Sequence, residues 1–101
     1  MRLIIPTMLL LAAGAADAAD AVPQAARLAA TCAACHGTNG ATVGGTLPRL
    51  AGQGKDVLLA KLHAFKDGSA PSTIMTQIAK GYTDEQLEQL AAWFAAQSAR
   101  R

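Results

Sequence analysis

The chain has 101 residues, two cysteines, two histidines and a formal net charge of +2, with 51% hydrophobic residues. That length holds one small domain. The thin, scattered positive charge excludes the dense basic surface of a nucleic-acid binder, so no nucleic-acid partner is expected.

The first elements belong to export. Arg2 precedes an apolar run from Leu3 to about Ala13, and small residues follow through Ala16-Asp17-Ala18. This is the layout of a secretory signal peptide over residues 1–18, cleaved after Ala18, with Ala15 and Ala21 as nearby alternatives. The run is shorter than the ~20 residues of a bilayer span and is interrupted by Pro6, so no membrane span is expected in the mature chain. The domain then occupies residues 19–101 and works in the periplasm. A polypeptide core alone is marginal at that size, so a disulfide, a metal or a cofactor is expected as a staple. No internal repeat is visible.

Pro23 suits the first turn of a helix, and "PQAARLAATCAAC" continues it to Cys35, with Ala25, Leu28 and Ala29 on one face. The helix ends in the motif Cys32-x-x-Cys35-His36. Four readings compete for it. A thioredoxin-like pair needs a βαβ context, which is missing. Structural zinc needs four ligands, and the only other histidine is His63. A disulfide closing so short a loop removes little unfolded-state entropy. The pattern signals the fourth reading directly, covalent attachment of one haem c. Two thiols on one helical turn each add to a haem vinyl group, and the next residue sets its imidazole beneath the iron. Cys32 and Cys35 are therefore the attachment residues and His36 an axial ligand. The macrocycle also supplies the missing core.

Residues 37–54 carry six glycines and Pro48 and read as a loop. A metal-ligating imidazole usually donates its other N–H to a fixed acceptor. The Pro48 carbonyl is the candidate; an ordinary turn proline is the alternative. "KDVLLAKLHAFKDG" follows as an amphipathic helix with Leu58, Leu62 and Phe65 on one face and Gly68 closing it. His63 belongs on its flank.

"GSAPSTIMTQIAKGY" reads as a second loop with room for a short helix. It holds Met75, the only methionine left after signal removal. A lone methionine is ordinarily a core filler, but a loop facing the haem makes Met75 the candidate for the second axial position, ahead of His63. The last helix, "TDEQLEQLAAWFAAQ", opens on a capping box of Thr83 and Gln86 and buries Leu87, Leu90, Ala91 and Phe94. The chain is all-α.

With Cys32, Cys35, His36, Pro48 and Met75 in this order, the chain resembles the small class I c-type cytochromes. That resemblance implies helices and loops wrapped around one covalent haem, an exposed haem edge for electron exchange, and contact between the first and last helices through Leu28, Leu90, Trp93 and Phe94. "CAACHGTNG", "LPRLAGQ", "FKDGS" and "IMTQIAKGYTDEQL" are further similar to the cytochrome subunit of flavocytochrome c sulfide dehydrogenase. In that family a flavoprotein subunit oxidises sulfide and passes electrons to haem, then to another carrier. Some members carry two haems; one Cys-x-x-Cys-His here permits one.

Two functions follow as expectations: the electron-transfer subunit of such a flavocytochrome, or a free monohaem carrier between other redox proteins. No nucleophile is paired with a base and no metal position is left open, so no catalytic residue is assigned and the chain is not expected to be an enzyme by itself. Lys55, Lys61, Lys66 and Lys80 either ring the haem edge and steer an acidic partner or form a solvated helix face. Tyr82 is expected to touch a haem propionate, touch a partner, or pack.

Overall fold

The computed structural model describes residues 2–4, 22–45 and 47–98. The expected export signal lies, apart from residues 2–4, outside the described residues. Among the described residues five α-helices follow in chain order: α1 (Gln24–Ala30), α2 (Ala33–His36), α3 (Lys55–Asp67), α4 (Met75–Lys80) and α5 (Asp84–Ala95), with a 3₁₀ turn at Thr38–Gly40. No strand occurs among the described residues, and no helix there is long and apolar enough to cross a membrane.

The first helix is not continuous to Cys35 as its composition suggests. It breaks at Thr31, whose hydroxyl donates back to the Leu28 carbonyl at 3.0 Å, while Cys32 N–H bonds to Ala29 O at 3.0 Å rather than four residues back. Hydroxyl groups that bond their own backbone compete with helical pairing. The chain then re-enters a single turn, with Cys35 and His36 N–H both donating to Cys32 O at 3.2 and 2.9 Å. The break tightens the motif into one unit.

Gly37 leaves that turn at φ 84°, and a Cβ there would lie 2.6 Å from Ala41 O. Gly40, at φ 75°, lies so close to α5 that a Cβ would meet Leu50 Cβ and Phe94 Cδ1 at 2.8 Å. Its carbonyl accepts from Leu50 N and Ala51 N at 3.0 and 3.2 Å. Glycine alone combines these angles with this approach.

α3 ends as its sequence predicts, on Gly68 in the left-handed region with N–H bonded to Phe65 O. α4 forms inside the second loop. Ser72 Oγ accepts from Thr76 N at 3.1 Å and meets its hydroxyl at 2.8 Å, which fixes the turn carrying Met75. α5 opens on the expected capping box, with Gln86 N donating to Thr83 Oγ1 and Thr83 N donating to Gln86 Oε1.

α1 packs on α5, and α3 packs on both α4 and α5. Ala29, Leu58, Leu87, Leu90, Ala91 and Phe94 form the buried core, with Leu28 and Trp93 against it. Two ion pairs strap α3 to α5: Lys55–Glu88 at 3.2 Å and Lys66–Asp84 at 3.0 Å.

Leu87 is fully buried in this core, so Leu87→Ala should lower unfolding stability of the haem-loaded chain by about 2–5 kcal/mol. Val57→Ala, on the exposed side of α3, should change it by less than about 0.5 kcal/mol. Denaturant unfolding measures both. The hydrogen bond and charge of Lys66, with a smaller contribution from His63, hold the Asp84 carboxyl below its ordinary range. A depressed folded-state value adds stability above the unfolded value and loses it as pH falls through the folded one. Between about pH 5 and pH 2 the wild type should therefore lose stability faster than Asp84→Asn, and added salt should shrink the difference.

Candidate functional site

The helices close around a cleft of about 920 Å³, toward the upper end of the ~300–1,000 Å³ span of small-molecule sites. α3 contributes Leu58, Leu62 and Phe65, and α5 contributes Leu90, Ala91 and Phe94. The apolar stripes that the sequence assigns to a core thus serve two purposes, packing on each other and walling the cleft. Cys32, Cys35, His36, Pro48 and Met75 all line it. Five residues spread over more than forty positions of chain are brought to one space.

His36 is buried. Its Nδ1 lies 2.8 Å from the Pro48 carbonyl oxygen. A carbonyl can only accept, so Nδ1 carries the proton and Nε2 keeps the lone pair for a metal. Thr42, also buried, shares its one hydroxyl proton between His36 O at 2.8 Å and Pro48 O at 3.1 Å. One side chain thereby ties the ligand-bearing turn to the loop that orients the ring. Sequence reasoning did not single out Thr42; its only signal was a polar residue inside a glycine-rich loop.

Cys35 is exposed and Cys32 half-buried, and no disulfide joins them. Burial pushes the Cys32 thiol above its ordinary range; a contact from Thr31 opposes this, and Cys35 adds to it. Met75, the first residue of α4, is half-buried. Thr31 and Tyr82 clasp the rim, with hydroxyl oxygens 2.7 Å apart. Tyr82 lines the cleft as well.

His63 does not line the cleft and sits with Nδ1 3.8 Å from Asp84 Oδ1. Among the described residues no three His, Cys, Asp or Glu side chains converge as a metal site would require. The four lysines do not form a ring. Lys55 and Lys66 are engaged by carboxylates of α5, and Lys61 is the one of the four that lines the cleft.

A deep apolar slot with paired thiols on one turn, a fixed imidazole and a thioether has the donor set of a covalently held iron porphyrin. The alternative metals fit worse: zinc would need a second pair of nitrogen or sulfur ligands.

Comparison with known proteins agrees. The cytochrome c family model matches residues 22–98. Cytochrome c4 of Pseudomonas aeruginosa is 39% identical over 62 residues, 61% of this chain and 31% of its own length. A thiosulfate dehydrogenase electron acceptor of Stutzerimonas stutzeri is 36% identical over 63 residues, 59% of this chain and 29% of its own. The cytochrome subunit of sulfide dehydrogenase of Chlorobaculum tepidum is 37% identical over 59 residues, 58% of this chain and 53% of its own. The chain thus spans about a third to a half of the length of these relatives. With the fold, the donor set and the family match in agreement, the chain belongs to the cytochrome c family, haem c electron-transfer proteins of the class I type.

Proposed function

We propose that this chain is the haem-bearing subunit of a flavoprotein sulfide dehydrogenase, exported to the periplasm with cleavage after Ala18, where it takes electrons from the flavin subunit and passes them to another carrier. In this reading Cys32 and Cys35 would hold the haem through thioether bonds, and His36 Nε2 and Met75 Sδ would ligate its iron. Pro48 O holds the imidazole through Nδ1–H. When bound, the haem supplies a one-electron Fe(III)/Fe(II) couple.

The observation that carries the reading is that His36 and Met75 line one cleft. With both residues ligating, oxygen or peroxide would find no place at the iron, and thioether–imidazole ligation would favour the reduced iron more than two imidazoles. The apolar walls from α3, α5 and Leu50 would exclude water from the iron. The part of the chain that exchanges electrons is then the rim, where Leu47 and Ile74 are exposed at 42% and 58%.

The flavoprotein assignment draws its support from the segments "CAACHGTNG", "FKDGS" and "IMTQIAKGYTDEQL" and from the similarity to a sulfide dehydrogenase cytochrome subunit. A second reading, a free soluble monohaem carrier between redox partners, draws on the similarity to a thiosulfate dehydrogenase electron acceptor.

Met75→Ala should open the sixth position, lower the midpoint potential and let carbon monoxide bind the reduced protein rapidly. An unchanged potential removes Met75 from the assignment. Native, untagged protein from the exported fraction should contain haem and flavin in equal amounts and be reduced by sulfide. Haem without flavin would instead favour the free carrier.

A further inference from the structure

The lysines of α3 differ in what they meet. At about 100° per residue, Lys55 and Lys66 fall within about 20° of each other, on the face that meets Glu88 and Asp84 of α5. Lys61 instead bonds Gln53 and lines the cleft. The carboxylates of α5 that face α3 are therefore engaged by the outer lysines. The middle one is turned toward the apolar slot.

Among the described residues, Lys61 is the only Lys, Arg, Asp or Glu on the cleft wall; the other titratable groups there are His36, Cys32, Cys35 and Tyr82. Among the described residues no carboxylate forms an ion pair with it. Its Nζ donates to Gln53 Oε1 at 3.3 Å, and Gln53 donates its amide to the Arg49 carbonyl in the loop just after Pro48. An ammonium has three protons. One goes to a neutral amide, and since Lys61 is exposed at the cleft wall, the other two are open to an anion at the cleft mouth.

Haem c brings two anions. Its vinyl edge is consumed by the thioethers, so its carboxylate edge lies on the opposite half of the macrocycle, away from Cys32 and Cys35. We propose that Lys61, braced by Gln53, receives a propionate carboxylate of the haem. The inference rests on the haem assignment above. Lys61 so placed keeps that propionate ionised and adds positive charge near the iron, which raises its potential. Arg49 buries Nε and Nη2 without an acceptor among the described residues, but it does not line the cleft, so Lys61 is the cation placed to meet the carboxylate.

The test uses the full haem-loaded chain and four forms: wild type, Lys61→Gln, Lys61→Arg and Lys66→Gln. Lys66→Gln removes the same charge from the same helix, outside the cleft. Midpoint potential is followed across pH. Lys61→Gln should lower the potential at neutral pH and raise the apparent propionate pKa by about one unit, as loss of an adjacent opposite charge does. Lys61→Arg should keep the wild-type profile, and Lys66→Gln should track it. A Lys61→Gln profile that overlays that of Lys66→Gln overturns the proposal, whether both move or neither does. Haem content of the wild type, measured first as its pyridine complex, separates this from failure of the haem assignment, because a chain without covalent haem would sink that assignment before any variant is compared.

Discussion

His36 is oriented by a carbonyl twelve residues further along the chain, 2.8 Å from its ring, and much of the local architecture exists to bring that carbonyl back. The chain must leave the end of α2, turn sharply and return alongside the same imidazole. Gly37 and Gly40 make the turn with backbone angles that a side chain would strain. Thr42 bonds the departing His36 carbonyl and the returning Pro48 carbonyl together. Leu50 and Ala51 then lock onto Gly40 O, and Gly52 onto Phe94 O at the end of α5. The proximal side of the site and the attachment of the loop to the last helix are one hydrogen-bonded unit.

The hydrophobic core is organised by the same constraint. Leu58, Leu90, Ala91 and Phe94 belong both to the buried core and to the cleft wall. For a domain this small, burial through side chains alone is marginal. Its helices instead pack edgewise, α1 on α5 and α3 on α4 and α5, and leave their remaining apolar surface to a planar guest. Cofactor binding and folding are therefore coupled, because whatever fills the slot selects the folded state.

Much of this was legible in the residues. The period of α3 and α5, the capping box at Thr83 and Gln86, and the stop at Gly68 follow from local chemistry, which neighbours did not override. The Cys-x-x-Cys-His spacing pointed to the cleft because it fits so few chemistries, and Pro48 could be nominated because an imidazole needs an acceptor. What was not legible depends on distant partners. The helix break at Thr31 comes from a hydroxyl choosing a backbone carbonyl and Tyr82 over helical continuity. The role of Thr42 needs the loop to have returned. The four lysines look alike along the chain; only the placement of Glu88 and Asp84 on α5 separates Lys55 and Lys66 from Lys61.

The Thr31–Tyr82 clasp joins the residue just before Cys32 to the segment just beyond α4. The wall bearing the thiols and imidazole and the wall bearing Met75 are thus latched at the rim as well as packed through α3 and α5. A latched frame resists widening or narrowing when the charge inside it changes by one. Little nuclear motion would then have to accompany each exchange, which lowers the barrier to giving up an electron as well as to taking one.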